Sequence, residues 1–348
     1  MRTKPRTALI MVLMATLFAF PAQAQSVASG DFQYTLDGGG KAAIVHYTGA
    51  EAGTLIIPEQ LDGHPVTAIG QAAFTENIFI SVVLPAGLTS IAPGVFSGCE
   101  SLAFIDVAAG NQVYEQVEGV LFDKAQKMLH TYPRAMIAPG CQIPEGTLQI
   151  GSLAFAFCKN LESIAIPDSV INIGESAFHG CAKLKAIALP KGLTRLEAGL
   201  FTGCRRLKSV QIPDGVTQIG PQAFSDCEWL RQVNIPYSVS VLEPYTFAYC
   251  VGMREIAIPG SIVTIGDGAF LGCDYLESVL IPRGVQTIGD YAFGECTDLK
   301  SVSLPQSVAS IGENAFYACG NLTASVVENS YAHEYFYQKK LPFTFGAP

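Results

Sequence analysis

Cysteine is the residue type in this sequence whose number and spacing could support the most chemistry. The chain has 10 cysteines, and thiolates act as catalytic nucleophiles, as metal ligands and as disulfide partners. Nine of them lie three residues after a phenylalanine, namely Cys99, Cys158, Cys181, Cys204, Cys227, Cys250, Cys273, Cys296 and Cys319. From Cys158 onward the interval is always 23 residues, so the cysteines mark a repeat.

Disulfides are the first chemistry to consider, because ten cysteines ordinarily form bridges when a chain is exported. Cysteines one repeat apart satisfy the Cα distance for a bridge, but stacking makes their Cβ vectors parallel where a bridge needs them to converge. We therefore predict nine buried free thiols that pack as small apolar side chains. Partial pairing and a zinc site are the alternatives, and zinc is disfavoured because C-x-x-C spacing is absent. Cys141 lies outside the series as a candidate exposed thiol.

Histidine adds little support for catalysis. Of the five histidines, only His179 is close in sequence to a cysteine, Cys181. A catalytic pair needs both side chains in one electropositive cleft, whereas Cys181 is expected to be buried. The chain contains no G-x-S-x-G, H-E-x-x-H or G-x-x-x-x-G-K motif. We predict no enzyme, catalytic residue, cofactor or metal; converging polar groups beside an insertion at about 109–140 would reverse that prediction.

A 23-residue repeat must position all of these residues. Its prolines are Pro144, Pro167, Pro190, Pro213, Pro236, Pro259, Pro282 and Pro305, and its phenylalanines are Phe155, Phe178, Phe201, Phe224, Phe247, Phe270, Phe293 and Phe316. Each repeat reads roughly C-x-x-L-x-x-[IV]-x-[IL]-P-x-x-[VL]-x-x-[IL]-G-x-x-A-F-x-x. A fixed period of this length signals stacked units, none of which can bury its apolar face alone. The sequence therefore predicts one elongated domain.

Each repeat contains a short strand pattern. In one copy, Ile187 and Leu189 alternate with Ala186 and Ala188, which is the two-residue period of a half-buried strand. Pro190 ends the strand, because proline cannot donate to the next rung of a ladder. Stacked turns would place corresponding strands about 4.8 Å apart, in a parallel sheet along one face. The predicted fold class is an α/β or mainly β solenoid.

Charge and composition restrict the partners. The net charge is −9, and residues 25–348 carry 18 basic against 30 acidic side chains. Nucleic acid is therefore an unexpected partner. With 49% hydrophobic and 15% charged residues, the chain has ample material for a continuous core.

Residues 1–24 have the three parts of a secretory signal. Arg2, Lys4 and Arg6 form a basic start, an apolar run covers 8–20, and the A-x-A pattern at 22–24 predicts cleavage after Ala24. The apolar run is shorter than the roughly 20 residues that span a membrane. We predict an exported protein, secreted or at the cell surface with the periplasm as an alternative, and no membrane span in the mature chain.

The period breaks once. The position expected to hold a proline is Ala108, and the next proline in register, Pro144, follows after 36 residues instead of 23. About 13 extra residues must loop out, and the alternation at 117–122 followed by 128–130 suits a β-hairpin that leans on the solenoid.

The repeats resemble a known family. The segments I-P-D-G-V-T-Q-I-G at 212–220 and A-F-x-x-C at 223–227 resemble the BspA-type bacterial leucine-rich repeat. That resemblance implies a leucine-rich repeat solenoid at 58–322 with caps at 25–57 and 323–348 and an inserted hairpin at about 109–140. Members of the family are associated with attachment to host or matrix proteins and to other cells.

A binding surface is the function that these features favour. The outward strand positions are mostly small and uncharged, which gives a flat sheet suited to a large partner. Our candidate residues are Trp229, Tyr237, Tyr245, Tyr249, Tyr275, Tyr291, Gln211, Gln232 and Asn234. Exposed aromatic rings often dominate binding energy, although rings that only cover neighbouring turns are the alternative.

We therefore predict a monomeric, adhesin-like module for an extracellular, host or matrix protein or another cell-surface protein. A structural or spacer module of the cell envelope is the alternative function.

Deletion of the predicted cap at 323–348 should cause aggregation or loss of soluble protein, because an uncovered terminal strand invites association between sheet edges. Size-exclusion chromatography of the truncated chain measures this effect. A soluble and monomeric truncation would show that these residues are not a cap.

Overall fold

The structure, a computed structural model, describes residues 26–50, 52–71, 73–75 and 77–346. The leader predicted at 1–24 lies outside the described residues. The described chain winds into a mainly β solenoid whose turns are joined by parallel strand pairs. This architecture confirms the solenoid predicted from the repeat.

The strands are short and follow the repeat. The first strands are β1 (Val27–Ser29), β2 (Phe32–Leu36), β3 (Ala42–Tyr47), β4 (Thr54–Ile56), β5 (Gln60–Leu61), β6 (His64–Ile69), β7 (Ser81–Leu84), β8 (Ser90–Ile91) and β9 (Phe104–Val107). The insertion forms β10 (Tyr114–Val117), β11 (Val120–Asp123) and β12 (Met128–Thr131).

The regular repeats form sixteen further strands. They are β13 (Gly140–Gln142), β14 (Gln149–Ile150), β15 (Ser163–Ala165), β16 (Asn172–Ile173), β17 (Ala186–Ala188), β18 (Arg195–Leu196), β19 (Ser209–Gln211), β20 (Gln218–Ile219), β21 (Gln232–Val233), β22 (Val241–Leu242), β23 (Thr264–Ile265), β24 (Ser278–Leu280), β25 (Thr287–Ile288), β26 (Ser301–Leu304), β27 (Ser310–Ile311) and β28 (Thr323–Val326). Helix α1 (Tyr331–Gln338) and β29 (Phe343–Phe345) follow.

Most turns contribute two strands, and these form two parallel ladders. The predicted ladder, which we call the strand face, consists of the sheets β4-β7-β9, β13-β15-β17-β19-β21 and β24-β26-β28-β29. A second ladder, absent from the sequence prediction, uses the second apolar site of each repeat, as in β18-β20 and β22-β23-β25-β27. One of its rungs pairs Leu196 with Ile219. The two ladders hold the interior between them.

The interior contains a column of stacked phenylalanine rings and a column of thiols. From Phe155 to Phe316, successive ring centroids lie 5.2–5.6 Å apart with interplanar angles of 5–24°. The nine cysteines in register are buried free thiols, as predicted. Each donates its S–H to a carbonyl one turn earlier, as Cys204 does to Phe178 O at 3.2 Å. The thiol therefore packs as an apolar group and also satisfies a buried acceptor.

The insertion separates the core into two clusters. Strands β10 and β11 form an antiparallel hairpin whose turn residues, Glu118 and Gly119, both have positive φ (53° and 81°). Leu121 packs into the N-terminal cluster, whereas Val120 and Phe122 pack into the larger C-terminal one. Strand β12 then pairs in parallel with β14. The extra residues thus supply a rung of the second ladder instead of only looping out.

Helix α1 covers the last turn of the phenylalanine column. The Ser330 side chain caps the helix by accepting a hydrogen bond from His333 N at 3.2 Å. Phe336 is fully buried, and its ring centroid lies 5.3 Å from that of Phe316. Strand β29 adds in parallel to β28 beside the helix. Both elements shield apolar groups that another repeat would otherwise cover.

Phe336→Ala should destabilise the C-terminal turns by about 3–5 kcal/mol, because it leaves a cavity at the end of the ring column. Guanidinium-induced unfolding followed by circular dichroism measures this loss. Tyr337→Ala is the matched control: Tyr337 is the next residue and is 68% exposed, so its removal should cost less than about 0.5 kcal/mol. Equal losses for the two variants would contradict the capping role of α1.

Candidate functional site

A groove crosses the strand face over four consecutive turns. We define this strand-face groove by residues 186–188, 209–211, 231–234 and 255–257, and its volume is about 750 Å³. Ile187 and Val210 point into the core, whereas Ala186, Ala188 and Ser209 are exposed. The small exposed side chains let a ligand approach the backbone closely, so the floor of the groove is broad and low in relief.

The strand face is interrupted inside this groove. Residues 254–258 form no strand, although the equivalent segments of both neighbouring turns do. The backbone groups of 255–257 form no hydrogen bond with either flanking strand, and this segment belongs to the described part of the chain. Val233 and Ile256 are half-buried here, whereas Val210 and Val279 are buried. The interruption therefore exposes both main-chain polar groups and the edge of the core.

Asn234 alters the ladder one turn before the interruption. Its side-chain amide accepts from Ile212 N at 2.7 Å and donates to Ile212 O at 2.9 Å. In other repeats a backbone carbonyl of the next turn is the acceptor, as Ser303 O is for Ile281 N. The Asn234 side chain thus replaces a rung of the ladder. Asn234 was a predicted binding residue, and the structure shows that its amide is engaged within the chain.

The predicted aromatic residues separate into exposed and packed groups. Trp229 and Tyr275 are each 50% exposed, and Tyr237 is 77% exposed. Along the chain, Trp229 precedes β21 and Tyr237 follows it, so the two rings flank opposite ends of this groove strand. Gln211 and Gln232 are exposed and line the groove. Tyr291 packs against Tyr317, with ring centroids 5.7 Å apart. None of the predicted aromatic residues belongs to the groove lining itself.

Tyr245 and Tyr249 have a packing role. Both have positive φ (58° and 59°), and their rings lie over Gly268 and Gly272 of the next turn. A Cβ at Gly272 would lie 2.6 Å from Tyr249 Cδ1, so the glycine provides the space that the ring fills. For these two residues the structure matches the alternative in which rings cover neighbouring turns.

A line of basic residues runs beside the groove, and the sequence analysis missed it. We call it the basic stripe: Lys185, Lys208, Arg231 and Arg254, all exposed. Backbone bonds from Lys208 N to Lys185 O (3.2 Å) and from Arg231 N to Lys208 O (2.9 Å) place the first three on adjacent rungs. They all lie four residues after a repeat cysteine, so aligning the repeats by position would have revealed the stripe.

The two middle cations of the stripe have no acidic partner. Lys185 pairs with Glu162 at 2.6 Å, and Arg254 approaches Glu277 at 3.9 Å. Within the described residues, Lys208 and Arg231 form no salt bridge. The hydrogen bond and charge of Lys185, with smaller effects from Lys183 and Arg206, lower the pKa of Glu162. Most of that shift comes from the direct contact with Lys185.

The structure does not assemble the cysteine–histidine pair. The Cys181 thiol donates to Phe155 O at 3.0 Å, whereas the His179 ring packs edge-on against Phe157 at 4.9 Å between centroids. Burial raises the pKa of Cys181 to about 12 and lowers that of His179. A protonated, enclosed thiol is a poor nucleophile.

A small cavity lies between the insertion and the solenoid, at the place where converging polar groups would have indicated an enzyme. Its volume is about 100 Å³ and most of its lining is apolar. The buried Tyr132 hydroxyl has no hydrogen-bond partner there, and Cys141 is half-buried in the wall. Burial raises the pKa of Cys141 to about 12. The cavity therefore presents no activated nucleophile.

Among the residues given above as described, no group of three or more His, Cys, Asp and Glu side chains is arranged to hold a metal ion. In the same ranges, no helix has both the length and the apolar character needed to cross a bilayer.

The family follows from a match over most of the repeats. The family model of the BspA type leucine rich repeat region matches residues 57–126, 139–253 and 242–341, in six copies. The chain belongs to the BspA-type leucine-rich repeat family. This membership confirms the family predicted from the segments at 212–220 and 223–227. A comparison with curated proteins gives no match.

Solved structures of bacterial leucine-rich repeat proteins are similar to this family member. A leucine-rich repeat protein from Eubacterium ventriosum is 25% identical with a TM-score of 0.52; the alignment covers 63% of this chain and 64% of that protein. A leucine rich cell surface protein from Faecalibacterium prausnitzii is 23% identical, with a TM-score of 0.45 and coverage of 90% and 97%. A leucine-rich repeat protein from Bacteroides ovatus is 21% identical, with a TM-score of 0.43 and coverage of 92% and 99%.

The native thiols should resist alkylation. At about pH 8, iodoacetamide should modify Cys141 slowly and the nine buried cysteines negligibly, because burial keeps the thiols protonated and shielded. After denaturation without reductant, all 10 cysteines should react. Intact mass measures both results, and Cys141→Ser should remove the slow reaction. Fewer than ten modified thiols in the denatured sample would reveal disulfides and contradict the thiol ladder.

Proposed function

We propose that this protein is exported and binds another protein through its strand face. The observation that carries the proposal is the strand-face groove, which exposes small side chains, main-chain polar groups and the edge of the core in one place. Solenoids present extended faces of this kind to partners. Export is supported by the leader pattern at 1–24.

The shape of the groove favours a macromolecular partner over a small ligand. Its floor extends over four turns and is made of small side chains such as Ala186, Ala188 and Ser209. Small-molecule sites are usually concave and enclose most of their ligand. Trp229 and Tyr237 are exposed, precede and follow the groove strand β21 along the chain, and have the character of interface hot spots. The expected partners are extracellular, host or matrix proteins or other cell-surface proteins.

The mature chain, residues 25–348, should bind at least one member of a panel of matrix and serum proteins in biolayer interferometry. A Trp229→Ala, Tyr275→Ala double variant should weaken that binding at least about tenfold, because truncating hot-spot rings costs more than about 1 kcal/mol each. Tyr337→Ala, which removes an exposed ring on α1, is the matched control and should bind normally.

The outcomes separate the two function classes. Saturable binding that the double variant loses would place the site beside Trp229 and Tyr275, which share one repeat offset two turns apart. Binding that both variants retain would support protein binding but move the site elsewhere. Folded protein that binds no panel member would favour the structural or spacer role in the cell envelope.

A further inference from the structure

We propose that the strand-face groove together with the basic stripe binds an extended acidic polypeptide segment. This inference rests on the proposed protein-binding function and specifies its partner. Its basis is the coincidence of unpaired cations, unpaired main-chain groups and exposed core edge on the same four turns.

Charge is the first argument. Eight basic residues lie in the short segments that join a repeat cysteine to the next strand position, counted over the five turns from Cys158 to residue 255. They are Lys159, Lys183, Lys185, Arg205, Arg206, Lys208, Arg231 and Arg254, against only Glu162, Glu228 and Glu255, of which Glu255 lines the groove. The net charge of the chain is −9, so this concentration opposes the overall charge. An acidic ligand is therefore drawn to this edge and repelled by the rest of the surface.

Because the repeats stack, the basic stripe holds cations on adjacent rungs, and an acidic group that binds there reduces their mutual repulsion. The repeat brings equivalent residues 5.2–5.6 Å apart in the core column, so adjacent rungs hold their cations at a similar backbone spacing. Lys208 and Arg231 are neighbours on that stack without a salt bridge in the described structure. Like charges on adjacent rungs repel each other, and a bound carboxylate adds an attraction to both of them.

The interrupted strand identifies the ligand as a polypeptide. The N–H and C=O groups of 255–257 lack backbone partners in the described structure, and Gln211 and Gln232 add donors and acceptors to the floor. A peptide that crosses the turns brings donors and acceptors to this floor together with small apolar side chains, a combination that an anionic glycan lacks. Half-buried Val233 and Ile256 offer contacts for small apolar side chains.

The length of the groove sets the length of the ligand. Four turns span about 16 Å along the solenoid axis at the observed stacking distance, which corresponds to about five extended residues. A segment in this position would pass over the small floor residues with the basic stripe along one side. Alternating acidic residues would all face the stripe, because side chains of an extended chain alternate in direction.

The probe for this proposal is a fluorescein-labelled peptide of about 12 residues that alternates Glu and Thr, with a Lys–Thr peptide of equal length as its counterpart. Fluorescence anisotropy with the full mature chain should detect saturable binding of the acidic peptide only. Raising the ionic strength from about 0.05 to 0.5 M should weaken it. Methylation of alternate backbone nitrogens should weaken it further, because it removes donors.

Matched charge reversals locate the site. Lys208→Glu with Arg231→Glu should reduce peptide affinity at least about tenfold, since it inverts the centre of the stripe. Lys41→Glu with Lys340→Glu makes the same charge change at exposed lysines on turns outside the groove and should have little effect beyond a small shift. Circular dichroism confirms that both variants are folded.

Three results would overturn the proposal. The first is equal loss of affinity in both double variants, which would indicate a general charge effect. The second is unchanged binding of the methylated peptide together with equally tight binding of heparin, which would indicate an anionic glycan. The third is no binding of the acidic peptide. If the acidic peptide does not bind but a panel protein binds in a Trp229-dependent way, the protein-binding function is supported and only the acidic partner is excluded. If neither assay shows binding, both proposals fail.

Discussion

The structure depends on one constraint: every turn must present the same apolar cross-section to the turn above and the turn below. The phenylalanine rings satisfy it by stacking at a spacing of 5.2–5.6 Å, and the thiols satisfy it by fitting beside the rings while donating to the carbonyls of the previous turn. A larger or more polar group at either position would disrupt two interfaces at once, because each turn contacts only its neighbours. This explains why nine cysteines remain reduced and inaccessible instead of forming bridges.

The same constraint requires the column to be closed where the repeats stop. At the C-terminal side, α1 contributes Phe336 to the end of the ring column and β29 extends the strand face. Between the two core clusters, β11 sends Leu121 to one side and Phe122 to the other. The inserted residues therefore join two stacks of turns, and β12 keeps the second ladder continuous into β14.

Positions whose side chains do not enter the phenylalanine or thiol column can vary between repeats. The residues proposed for binding occupy such positions. Outward strand positions and the residues before each strand carry the groove floor, the exposed aromatic rings and the basic stripe. The turn at 250–272 departs furthest from the pattern: Met253 fills a position usually held by leucine, and no strand forms at 254–258. The stacking above and below remains intact, since Phe247 and Phe270 still lie 5.5 Å apart. A local loss of ladder bonds is tolerated because the neighbouring column holds the turn in place.

The sequence by itself determined the period, the predicted strand ladder, the buried thiols and the position of the insertion, because each of these follows from residue type repeated at a fixed interval. It also determined that the cationic positions share one offset, although that pattern was not recognised from the sequence. Only the tertiary structure decided which aromatic rings are exposed: Tyr245 and Tyr249 are packed because glycines occupy the next turn at their offsets, whereas Trp229 and Tyr237 are open to solvent. It also decided that Asn234 replaces a rung of the ladder, since a side chain competes with the backbone for a hydrogen bond only when neighbouring turns bring them together.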